Sequence, residues 1–140
     1  MKAKDVPQED SILEGHRRAC YALDDTGHYT VVASKGWEVE KIVNGVANAD
    51  LREQLEQVRR RVVAGTASPL EYHMQRCQMT PPMLAANTGQ SGIWGNWRVR
   101  RHLKPDVFAT LSAVLLTRYA EALRLTVDEL RRVPDAPEPK

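Results

Sequence analysis

The stretch TPPMLAANTGQSGIWGNWRVRRHLK, residues 80–104, decides how this chain is read. Thr80 is a natural N-cap, because its hydroxyl can accept a hydrogen bond from an orphaned backbone N–H. Pro81 and Pro82 suit the first helical turn, where a missing N–H costs nothing. Met83, Leu84 and Ala86 then supply apolar surface, and Gly89 stops the helix. Ala85 and Gly89 stand four residues apart, which lets two helices cross tightly: the small side chain permits close approach and the glycine accepts a left-handed turn. A second helix follows over WRVRRHLK, where five of eight residues are Arg, His or Lys. Val99 and Leu103, one turn apart, are expected to point into a core.

At about 100 degrees per residue, Trp97, Arg101 and Lys104 then point most directly away from that core, with Arg98 and Arg100 on the flanks. No acidic residue lies between Tyr72 and Pro105, while Arg76, Arg98, Arg100, Arg101 and Lys104 all do. Such a window suits a phosphate-facing surface, since one carboxylate would repel the polyanion. Arg98 and Arg101, on adjacent turns, are the first candidates for bidentate bonds to guanine. Arg100, His102 and Lys104 are placed for phosphate, and Gln90 and Asn96 for a base or the backbone. Trp94 and Trp97 are expected to be buried between elements, with stacking on a base or sugar as the alternative. Gly89, Gly92 and Gly95 invite a phosphate-loop reading, but no GxxxxGK[ST] accompanies them.

The run from Thr80 to Gly89, the basic helix, and then YAEALRLTVDEL over residues 119–130 together resemble the Xre (Cro and phage-repressor type) helix-turn-helix family. The resemblance covers roughly residues 70–130. It implies a bundle of four or five helices in which the second and third read double-stranded DNA. It also implies Thr80, Ala85, Gly89, Val99 and Leu103 as its structural positions. Family members are transcription regulators or the DNA-binding halves of antitoxins. The chain departs from the pattern at Pro81 and Pro82, which replace polar residues, in the glycine-rich residues 90–96, and at Arg124, which replaces a helix-ending glycine.

The rest of the chain is organised around a hairpin and helices. Residues 18–24 and 28–34 are β-prone and flank Asp25-Thr26-Gly27, a tight reversal. A lone hairpin is marginal, so it should lie on a helix or on a second subunit. Trp37, Val39, Ile42, Val43 and Val46 predict a short helix interrupted near Asn44-Gly45 or ended by Asn48. A fresh helix should start at Asp50, boxed by Glu53, and carry the stripe Leu51, Leu55, Val58 and Val62, which fits packing on the chain's own hairpin and a dimer contact equally. Ser68, Pro69 and Glu71 make a start signal with a reciprocal cap, and Val107 to Arg118 should be helical after the break at Pro105. Thr126 and Glu129 form a last capping box.

These elements predict a mainly α (α+β) fold: an amino-terminal β-hairpin plus helices, then a helix-turn-helix bundle. The expected parts are a flexible residues 1–15, a hairpin and helical region at 16–66 for dimerisation or sensing, a DNA-binding domain at 67–133, and a disordered tail at 134–140. Residues 65–68 serve as the linker. Residues 1–66 carry ten cations against eleven anions, and residues 67–140 carry ten against seven.

No run approaches the length of a membrane span and no secretory signal opens the chain, so a cytoplasmic location is expected. Cys20 and Cys77 lack CxxC partners and read as small core residues. His16, Cys20 and His28 make at best a weak metal set, no nucleophile motif is present, and neither a cofactor nor catalysis is assigned. Two function classes remain: a regulator binding double-stranded DNA as a homodimer, and an antitoxin whose first half neutralises a toxin partner.

Overall fold

A computed structural model describes residues 1–9, 16–36, 38–90 and 92–135. The chain divides into two compact units, Met1–Asp50 and Leu51–Lys140. The boundary therefore falls inside a helix rather than at residues 65–68.

In the first unit, strand β1 (Arg18–Leu23) pairs antiparallel with β2 (Tyr29–Ser34), with Tyr21 opposite Val31 and Leu23 opposite Tyr29. The reversal is held by Asp24, whose Oδ1 accepts from Thr26 N at 2.8 Å, His28 N at 3.0 Å and the Thr26 hydroxyl at 2.6 Å. These donors stabilise the charged carboxylate and lower its pKa. Gly27, at φ +83°, supplies the left-handed step. Residues 1–9 are not loose: Leu23 N donates to Met1 O, the Ser34 hydroxyl donates to Pro7 O at 2.6 Å, and Val6 is buried. Residues 10–15 of the segment expected to be flexible lie outside the described residues, as do Trp37 and residues 136–140 of the tail.

Helix α1 (Glu38–Val63) is continuous, correcting the expected interruption near Asn44-Gly45 and the fresh start at Asp50. Gly45 costs a helix interior only about 1 kcal/mol, too little to outweigh unbroken hydrogen bonding on both sides. The Asp50 and Glu53 signals are thus internal to a helix. In the second unit, Leu55 and Val58 of α1 bury against Tyr72, flanked by Leu51, Val62 and Val133. The apolar stripe is an intrachain seam.

Gly65, at φ +79°, turns the chain into buried Ala67 and Ser68. Thr66 N and Ala67 N both donate to Arg61 O, so residues 65–68 form a fixed turn, not a linker. Helix α2 (Pro69–Arg76) starts at Ser68 as expected, but the reciprocal cap is absent, because Glu71 is drawn instead to Arg61 in an ion pair of 2.5 Å.

Helices α3 (Pro81–Asn87) and α4 (Ile93–His102) follow, then the single turn α5 (Pro105–Phe108), α6 (Ala113–Ala122) and α7 (Val127–Leu130). The helix expected from Val107 to Arg118 is split, because the Ser112 hydroxyl accepts from Leu115 N and begins α6 afresh. Leu70, Leu84, Val99, Tyr119, Leu123 and Leu130 lie fully buried among these helices. The Thr126–Glu129 capping box is formed, with Thr126 N donating to Glu129 Oε2 at 2.8 Å. These bonds to Thr126 lower the pKa of Glu129.

Arg124 takes the left-handed conformation (φ +55°) that its position after α6 demands. A side chain is strained there and a glycine is not. Arg124→Gly is expected to raise stability by about 0.5–1 kcal/mol, seen as a higher midpoint in thermal unfolding.

Candidate functional site

The site is built on α3 and α4, which pack on each other, and on α6, which packs on α3. Thr80 has the extended backbone of an N-cap, yet its hydroxyl makes no capping bond. Pro82 has removed one of the two N–H groups, those of the second and third helical residues, that such a hydroxyl serves. At the other end of α3, the Thr88 hydroxyl donates to Leu84 O at 2.7 Å and Gln90 N donates to Ala85 O at 2.8 Å. Gly89 and Gly92 take the positive φ values of +71° and +88° that the turn requires.

Gly95 is the tightest position in the site. A Cβ there would sit 1.5 Å from the Gln90 carbonyl oxygen, so only a hydrogen allows α4 to lie against the turn. Glycine spacing alone carried no sign of this contact. With Gly95 and Val99 buried and Leu103 half-buried, the inward face of α4 is small and apolar.

Two residues expected to contact DNA are instead drawn inward. Gln90 Nε2 donates to the Thr88 hydroxyl at 3.0 Å and to the Tyr119 hydroxyl at 3.1 Å, and the same hydroxyl lies 2.7 Å from His102 Nδ1. Tyr119 is 0% exposed and joins the turn, the end of α4 and α6. Burial lowers the pKa of His102, and the Arg101 and Arg98 cations lower it further. Through the Tyr119 hydroxyl, Gln90 and His102 tie the turn and the end of α4 to α6. Asn96 is half-buried, and its Oδ1 accepts from Arg100 Nε at 3.1 Å.

The outward face is legible in part. Arg98, Arg100, Arg101 and Lys104 are exposed, as expected. Trp94 and Trp97, expected to be buried, are 73% and 52% exposed. Gly95, the inward position nearest them, has room for no side chain, and the indoles stand on the outer side, where they meet edge-to-face at 6.4 Å between ring centroids. The Arg101 guanidinium stands 5.5 Å from the Trp97 ring centroid, a cation–π distance. Trp97, Arg100, Arg101 and Lys104 line a cleft of about 470 Å³ that ends at Asp106 and Val107.

A second cleft, of about 390 Å³, lies among His73, Arg76, Glu129 and Arg132. There His73 Nε2 is 2.7 Å from Arg132 O, and burial lowers the pKa of the ring. Among the described residues no His, Cys, Asp and Glu side chains gather into a metal-ligand set, and no helix is long and apolar enough to cross a membrane. Cys20 and Cys77 are both free and half-buried. No protein-family model, curated protein or solved structure matches the chain.

Two outcomes follow from this packing. Gly95→Ala must displace backbone and is expected to cost about 1–3 kcal/mol or more, whereas Gly45→Ala, with open space around it, should gain about 0.5–1 kcal/mol. Thermal melts of the two variants check the contrast.

His102 and His73 both bind protons more weakly when folded, so the unfolded chain takes the proton first as pH falls. Stability is therefore full above about pH 6.5 and declines as the pH drops below it. Melting temperature should fall between about pH 6.5 and 5, and His102→Gln should flatten part of that slope.

Proposed function

We propose that the chain is a helix-turn-helix protein of the Xre kind that binds double-stranded DNA by laying α4 in the major groove and regulates transcription. The observation that carries this reading is the exposed arginines Arg98, Arg100 and Arg101 on the second helix of a glycine-turned pair, with exposed Lys104 just past its end, inside a stretch of sequence with no carboxylate. In a helix-turn-helix that helix enters the groove. Arg98 and Arg101 read bases there, and Arg100 and Lys104 bind phosphate. Gln90, His102 and Tyr119 hold α4 at its entry angle.

A homodimer serves such a site, because paired half-sites call for two-fold symmetry. The outer face of the hairpin supports it: Ala19, Tyr21, Tyr29, Val31 and Ala33 are exposed and uncharged, and Ile42, Val43 and Val46 of α1 are exposed as well. An uncharged face can meet its own copy without desolvating an ion. The same face supports the antitoxin reading, in which a toxin takes the second copy's place.

Arg98→Glu with Arg101→Glu is expected to abolish binding to duplex DNA while circular dichroism and melting temperature stay unchanged. Loss of fold would make these side chains structural. Wild-type affinity should fall by about 0.9 log units per log unit of salt for each phosphate neutralised, measured by titration at several salt concentrations.

A further inference from the structure

The leading end of α4 is apolar where a groove-entering helix is usually polar. Ile93 is 88% exposed and Trp94 73% exposed, and Trp97 continues the same ridge one turn later. The edge-to-face contact with Trp94, together with Arg101 beside Trp97, fixes the ridge before any ligand arrives. Exposed apolar groups of this size on a basic helix need a partner that is both anionic and locally hydrophobic. The cations Arg98, Arg100, Arg101 and Lys104 stand behind the ridge, and one carboxylate, Asp106, lies at the far end of the cleft that three of them line.

The major-groove edge of duplex DNA meets both conditions at one group. Its base edges offer polar donors and acceptors except at thymine, where the C5-methyl group is apolar. An isoleucine and an indole pressed on polar edges would leave those edges desolvated and unpaired. Pressed on C5-methyl groups they bury carbon against carbon. We infer that the Ile93–Trp94–Trp97 ridge recognises C5-methylated pyrimidines in the major groove, while the arginines behind it bind guanine and phosphate. The inference rests on the duplex-binding reading above. The C5-methyl can come from thymine or from 5-methylcytosine, and one pool of DNA can separate the two.

The probe is a random-sequence duplex pool enriched by repeated binding to the full chain, then amplified in parallel with thymidine triphosphate, with deoxyuridine triphosphate, and with 5-methyldeoxycytidine triphosphate. Uracil lacks only the methyl group. Replacing thymine by uracil is expected to weaken binding roughly fourfold for each methyl group no longer buried, about sixteenfold where two are contacted. Ile93→Ala with Trp94→Ala should bind the thymine and uracil pools alike, at the affinity the unaltered protein shows for uracil. If thymine is the source, methylating cytosine changes nothing; if 5-methylcytosine is, that pool binds more tightly than the unmethylated one and the loss with uracil is small. Equal affinity for all three pools overturns the inference and leaves duplex binding standing. Preference for the denatured strands over the duplex overturns it in favour of base stacking. Failure to enrich any duplex overturns both this inference and the duplex-binding reading.

Discussion

The absence of a side chain at residue 95 is the constraint on which the carboxyl-terminal unit turns. Gly95 brings α4 onto the carbonyl of Gln90, and that approach puts the Gln90 amide and the His102 ring within reach of one phenol, Tyr119. The phenol is fully buried, so its two partners are also what satisfies it. Three elements distant in sequence are locked by one close approach and two hydrogen bonds.

The same approach divides α4 into two faces with different chemistry. Inward, the helix offers Gly95, Val99 and the His102 ring; outward, it places its tryptophans and arginines. Three arginines on one short helix would repel one another, but Arg100 and Arg101 lie in its last turn, where the partial negative charge of the helix carboxyl end favours them. The uncharged Ile93 and Trp94 occupy the opposite end, where cations would be disfavoured. Asn96 and Trp97 each engage an arginine, which holds those side chains along the helix.

What could be read from the sequence was what is written locally. The hairpin, the starts of α2 and α3, the glycine turn and the Thr126–Glu129 cap each depend on residues within a few positions of one another, and all are present. The outward arginines were legible from helical periodicity. The misreadings have another origin. The unbroken course of α1 over Asn44, Gly45 and Asp50 overrides weak local stop signals, and Ser112 looks like any serine until its hydroxyl is seen accepting from Leu115 N. The bonds of Gln90 and His102 to Tyr119 reach across 29 and 17 residues, beyond any local pattern. The tryptophans were assigned to a core that their helix has no room to admit.

Exposure of those indoles gives the molecule its own optical label. Indole emission moves to shorter wavelength when water around the ring is replaced, and two of the three tryptophans stand uncovered on α4. Any macromolecule that settles on that helix will therefore change the intrinsic ultraviolet fluorescence, and occupancy can be followed with no dye attached.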